Sequence, residues 1–190
     1  MTTTDPTTSN LRADAARNRQ KLIEAAGDAF ADSGTDVSLE AVAKRAGVGI
    51  GTLYRHFPTR DALVEAVYRN EVAQLSAAAS ELLAEHPADR ALAEWMKRFA
   101  AYMAAKRGMA DALQSVVASN SELFAETRSQ MVAAVEQLLE AGIEAGKVRP
   151  DANADDVLRA MSAIWMTIDE EQAQRVLALL MDGLRYGTKP

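Results

Sequence analysis

Residues 39–58 read LEAVAKRAGVGIGTLYRHFP, and the spacing of apolar, small and breaking residues within them decides the fold. Leu39, Val42, Ala43 and Ala46 step by three and four, as one face of a helix does. Ser38, just ahead, offers a hydroxyl to the first free amides, and Glu40 meets the positive end of the helix dipole. Gly47 stops this helix after about two turns, because glycine alone enters a left-handed turn without a Cβ penalty. A second short helix, GIGTLYRHF, follows and closes at Phe57-Pro58, since the residue before proline disfavours the helical region. Two short helices joined by a tight glycine turn make a helix-turn-helix, whose second helix fits a DNA major groove. Ala43 is small where the helices cross, and Val42, Ala46, Val48 and Leu53 are expected to share a core. That leaves Gly49, Ile50, Gly51, Thr52, Tyr54, Arg55 and His56 facing outward.

The flanks extend the helical pattern. Leu22, Ile23, Ala26, Ala29 and Phe30 mark a helix over about Asp14–Ser33, ended by Gly34. After Pro58, Thr59 is placed to cap a long helix whose apolar positions run from Leu63 and Val64 to Leu82 and Leu83, stopping near His86-Pro87. Further helices are predicted up to Gly108, over MADALQSVVAS, from Ser121 to Gly146, over about Ala154–Ile168 and over about Glu171–Tyr186. No stretch alternates with period two. The expectation is an all-α chain of about nine helices: an N-terminal three-helix helix-turn-helix domain and a C-terminal helical ligand-binding and dimerisation domain. The boundaries are set at 1–12 for a disordered, threonine-rich arm, 13–58 for the helix-turn-helix domain and 59–190 for the rest.

Composition excludes much else. The chain has no Cys and two His, His56 and His86, so a disulfide, a thiol switch and a Cys- or His-rich metal site are ruled out. No cofactor or metal is expected. No apolar run reaches membrane-spanning length and the N-terminus is polar, so a cytoplasmic location without membrane contact is expected. The net charge of −6 is unevenly spread: residues 1–62 carry eight Lys/Arg against eight Asp/Glu, and the remainder thirteen against nineteen. Lys44, Arg45, Arg55 and Arg60 fall close together in sequence, away from Asp28, Asp32 and Asp36, which permits a local basic face.

The stretch Ala25–Tyr68, AAGDAFADSGTDVSLEAVAKRAGVGIGTLYRHFPTRDALVEAVY, closely resembles the DNA-binding domain of TetR-family regulators. Gly51, Leu53, Tyr54, His56 and Phe57 carry that family's most telling motif. The resemblance is strong from about Lys21 to Tyr68, and the C-terminal helix pattern looks like the SbtR-like branch. It implies that Tyr54 and His56 hydrogen-bond backbone phosphates, and that Thr52 and Arg55 do likewise or reach base edges. Gly51 would let the helix approach the groove floor beside Gly49, and Ile50 would meet a thymine methyl. Arg17, Ser38, Lys44 and Arg60 are candidate phosphate anchors at the rim. Many relatives have Lys where Arg60 stands; either cation suits a phosphate.

Half-sites on duplex DNA repeat about every 34–36 Å, so a homodimer on a double-stranded operator is expected. Val157, Met161, Ile164 and Trp165 on one helix, with Val176, Leu177, Leu180, Met181 and Leu184 on the next, are the candidate interface of a four-helix bundle; the same stripes also suit the chain's own core. Trp95, Phe99, Tyr102, Met103, Leu113, Val117, Phe124 and Trp165 are candidate walls of a pocket for an apolar or amphipathic effector, and equally ordinary core positions. An enzyme is not expected, for want of a nucleophile elbow, phosphate-cradling loop or metal spacing. The expectation is a repressor released from an inverted repeat by a small molecule. The alternatives are an activating or ligand-independent regulator of the same fold, and a helical scaffold without DNA binding.

Overall fold

Backbone choices made by single residues set the element ends. The computed structural model describes the backbone of residues 6–34, 36–167 and 170–186; of these, side chains are not described at 6–12, 104, 105, 107, 108, 111, 117–119, 121, 165–167 and 170. Among the described residues there are nine helices and no strand: α1 Pro6–Ser33, α2 Leu39–Arg45, α3 Ile50–His56, α4 Arg60–Glu85, α5 Ala88–Gly108, α6 Ala110–Ser119, α7 Ser121–Glu144, α8 Ala154–Thr167 and α9 Glu170–Arg185. None is long and apolar enough to cross a membrane.

The caps act as the residue types require. Ser38 Oγ accepts from the Ala41 amide at 3.1 Å, and Thr59 Oγ1 accepts from the Ala62 amide at 3.1 Å. Gly47 has φ +66, and around it the Val48 amide donates to the Ala43 carbonyl and the Gly47 amide to the Lys44 carbonyl. This paired bonding satisfies the end of α2 and redirects the chain into α3. Gly146 ends α7 the same way, with φ +65 and the Lys147 amide on the Gly142 carbonyl at 2.8 Å. One boundary differs from expectation: α1 begins at Pro6, so residues 6–12 of the supposed arm are helical. Proline suits the first helical position, where its missing N–H costs nothing and its φ is already helical.

The chain forms two compact units. The first comprises residues up to Asn70 together with Arg107–Ser119, and the second comprises Glu71–Lys106 and the remainder from Asn120. The helix α4 contributes to both, and α6 belongs to the first. In the first unit Leu22, Ala26 and Phe30 of α1, Val42 of α2, Leu53 of α3, and Leu63 and Val64 of α4 are fully buried. Each large side chain so buried stabilises by about 1.5–3 kcal/mol. Ala46 and Val48, expected in that core, are only half-buried, because the turn at Gly47 carries them to its edge. In the second unit Leu92, Trp95, Leu123, Val135, Leu138 and Met161 are fully buried, and α8 packs against α7 and α9.

Candidate nucleic-acid interface

The α3 helix is seven residues long and has one apolar anchor, Leu53, fully buried. Its C-cap Phe57 is buried too, and donates its amide to the Leu53 carbonyl at 2.8 Å. With that side fixed, the helical period sorts the outward residues into two sets. Ile50, Gly51, Tyr54 and Arg55 stand at i, i+1, i+4 and i+5 and form one exposed face, with Ile50 38% and Tyr54 47% exposed. Thr52 and His56 lie on the flank and are half-buried.

Gly51 is informative for what it lacks. A Cβ built there meets nothing within 4 Å, so the chain's own packing does not demand a glycine. The gap beside Ile50 and Tyr54 therefore suits close approach of an external surface.

The cations of the first unit divide sharply. Arg17 is ion-paired with Asp14. Arg45 reaches Asp32 at 3.0 Å and Asp28 at 3.6 Å; the two acids expected to lie away from the basic cluster in fact hold one of its members, because α1 packs on α2. Arg60 is half-buried and donates from Nη1 to the Val37 carbonyl at 2.9 Å, tying the connection before α2 to the start of α4. Lys44 and Arg55 are exposed and pair with no carboxylate among the described residues. Arg55 donates from Nε to the Gly51 carbonyl at 3.1 Å, which lays its side chain along α3. Ser38 is exposed; its oxygen accepts within the cap and its O–H proton remains available. Of the candidate rim cations, Arg17 and Arg60 thus have partners within the chain.

The candidate effector wall resolves into separate parts. Trp95, Phe99, Tyr102 and Met103 line α5, all at most 5% exposed. The ring centroids of Trp95 and Phe99 are 5.8 Å apart and those of Phe99 and Tyr102 5.7 Å. The Trp95 indole N–H donates to the Leu75 carbonyl at 2.8 Å, so its polar group is already satisfied. Phe124 is half-buried, with the Lys106 ammonium 5.5 Å from its ring centroid. Leu113 is buried in the first unit, not the second. The side chains of Val117 and Trp165 lie outside the described residues. Of the candidate dimer residues, Val157, Met161, Leu177, Met181 and Leu184 are buried within the chain itself. Ile164, Val176 and Leu180 are half-buried. The exposed apolar side chains of α9 and its end are instead Leu179 at 69% and Tyr186 at 80%.

Comparison with known proteins matches this geometry along the chain. Residues 22–67 match the model for bacterial regulatory proteins of the tetR family, and residues 87–186 that for the C-terminal domain of SbtR-like transcriptional regulators. A TetR transcriptional regulator from Streptomyces coelicolor has a similar structure, with TM-score 0.81 and 46% identity over 88% of this chain and 98% of that one. A TetR regulator from Mycobacterium vanbaalenii gives TM-score 0.76 and 37% identity, covering 92% and 99%. An HTH-type transcriptional regulator of Staphylococcus aureus is 38% identical over 63 residues, which spans only 34% of that protein's length. Fold, helix-turn-helix and family models agree: the chain belongs to the TetR family of DNA-binding transcriptional regulators, which are not enzymes.

Proposed function

We propose that the protein is a cytoplasmic repressor that binds an inverted-repeat operator as a homodimer and leaves it when a small apolar or amphipathic molecule binds. The observation that carries the reading is the exposed face of α3, where Ile50, Gly51, Tyr54 and Arg55 lie together around a space that the chain itself does not fill. On this reading Ile50 contacts a thymine methyl and Arg55 a base edge or phosphate. Tyr54, His56 and Thr52 hold phosphates, with Ser38 and Lys44 at the rim. Dimerisation uses the α8–α9 layer through Leu179 and Tyr186, with Ile164, Val176 and Leu180 at its margin. The effector is taken against Phe99, Tyr102 and Met103, whose aromatic and thioether surfaces adapt to apolar shapes. It acts by population shift, with α4, which contributes to both units, as the moving element; about 1–3 kcal/mol of coupling suffices for strong release.

Selection of bound duplexes from a random pool, followed by footprinting and measurement of the mass of the complex, tests this. The expected product is an inverted repeat bound by two chains. A direct repeat, or a single half-site bound by one chain, overturns the dimer reading. The same operator then serves a ligand screen, in which apolar compounds are expected to raise the melting temperature and weaken operator binding together. Stabilisation without release contradicts the repressor mechanism.

A further inference from the structure

We infer that Arg19, on α1, is a further DNA-backbone contact, held at the end of the recognition helix by Phe57; the inference rests on α3 being the groove-reading element. The Arg19 guanidinium carbon lies 5.1 Å from the centroid of the Phe57 ring. Phe57 is the C-cap of α3, is itself buried, and has its ring 6.3 Å from that of His56. A cation from α1 is thereby brought to the same end of α3 as His56.

Its surroundings differ from those of its neighbours. Arg17, Arg45 and Arg69 each have a carboxylate partner, and Arg60 donates to a carbonyl. Arg19 is exposed and, among the described residues, neither a carboxylate nor a carbonyl takes its donors. The ring attracts the cation through its π-face and accepts none of the five in-plane N–H groups. Those donors stay available in a restricted place, which is what bidentate capture of a phosphate requires. Arg17 and not Arg19 is the α1 cation that the sequence alone puts forward; Arg19 is singled out by a contact between residues far apart in the chain.

The test is titration of a labelled operator duplex with the full-length chain between about 50 and 200 mM salt, because each phosphate neutralised adds about 0.9 to the slope of log K against log salt. Arg19→Gln is expected to bind operator and random duplex several-fold more weakly, with a slope shallower by about 0.9 for each of the two chains, about 1.8 per dimer, and an unchanged melting temperature. Arg19→Lys is expected to keep the slope. If Arg19→Gln leaves the slope unchanged while wild type binds normally, or if its loss of affinity accompanies a lowered melting temperature, Arg19 only braces Phe57 and the inference is overturned. Failure of wild type to bind any duplex overturns it together with the reading of α3.

Discussion

Tyr54 in the first unit and Trp95 in the second are both large aromatics with one polar hydrogen, yet the chain treats them in opposite ways. Trp95 is completely buried, stacks near Phe99 and gives its N–H to the Leu75 carbonyl. Tyr54 stands 47% exposed on a helix whose inward position, Leu53, already supplies the anchor. A polar aromatic that is satisfied at home serves the fold, whereas one left open beside an unfilled space serves a surface the chain meets from outside. The same contrast separates Arg45, held by two acids of α1, from Lys44 next to it, and it sorts most of the residues singled out above.

The largest expected effect lies at Trp95. Trp95→Ala removes a filled core position and leaves the Leu75 carbonyl without its indole donor, and it should cost about 3–5 kcal/mol in urea unfolding. A loss below about 1 kcal/mol would break the comparison, since Trp95 would then border vacant space rather than fill it. Arg45→Gln tests the paired cation. It is expected to lower stability by no more than about 1 kcal/mol, as exposed ion pairs do, and to leave the salt dependence of DNA binding unchanged. A shallower salt slope would mean that Arg45 meets phosphate despite its acids.

The smallest effect concerns Asp155, which touches Arg128 of α7 and Arg159 of α8. The hydrogen bond from Arg159 comes first, with the charges of both guanidiniums behind it, in holding its carboxyl below the ordinary 3.8. A depressed native value stabilises the fold above the unfolded value, and that contribution disappears as pH falls through the native one. The difference in melting temperature between wild type and Asp155→Asn should therefore be present at neutral pH and vanish on acidification below 3.8. A difference independent of pH would remove the carboxylate from the account.

What was legible in the sequence was whatever a single residue type forces locally. Gly47 and Gly146 end helices because positive φ admits little else, Ser38 and Thr59 cap because their oxygens reach the next free amides, and Pro58 stops α3. The exposed face of α3 followed from the helical period once Leu53 was given its core role. Tertiary placement decided the rest. That Arg45 meets Asp28 and Asp32 and that Arg19 rests near Phe57 depend on how α1 packs on α2 and α3, and the Arg60–Val37 bond depends on how the start of α4 meets the connection before α2. The apolar stripes of α8 and α9 show a period but not a destination; Val157, Met161 and Leu177 fill their own chain, and Leu179 lies off the stripe, where the period does not mark it. The start of α1 escaped because residues 6–10 carry no apolar period to read.

The central claim is that Tyr54 is exposed for the sake of the phosphate backbone. It is tested most directly by fluorescence anisotropy of the selected operator with wild type and Tyr54→Phe, alongside their melting curves. The account predicts affinity lower by about 10- to 150-fold per half-site, as loss of one hydrogen bond of about 1.5–3 kcal/mol to a charged group implies, equally on operator and random duplex, with the melting temperature unchanged. Equal affinity of the two proteins would contradict it.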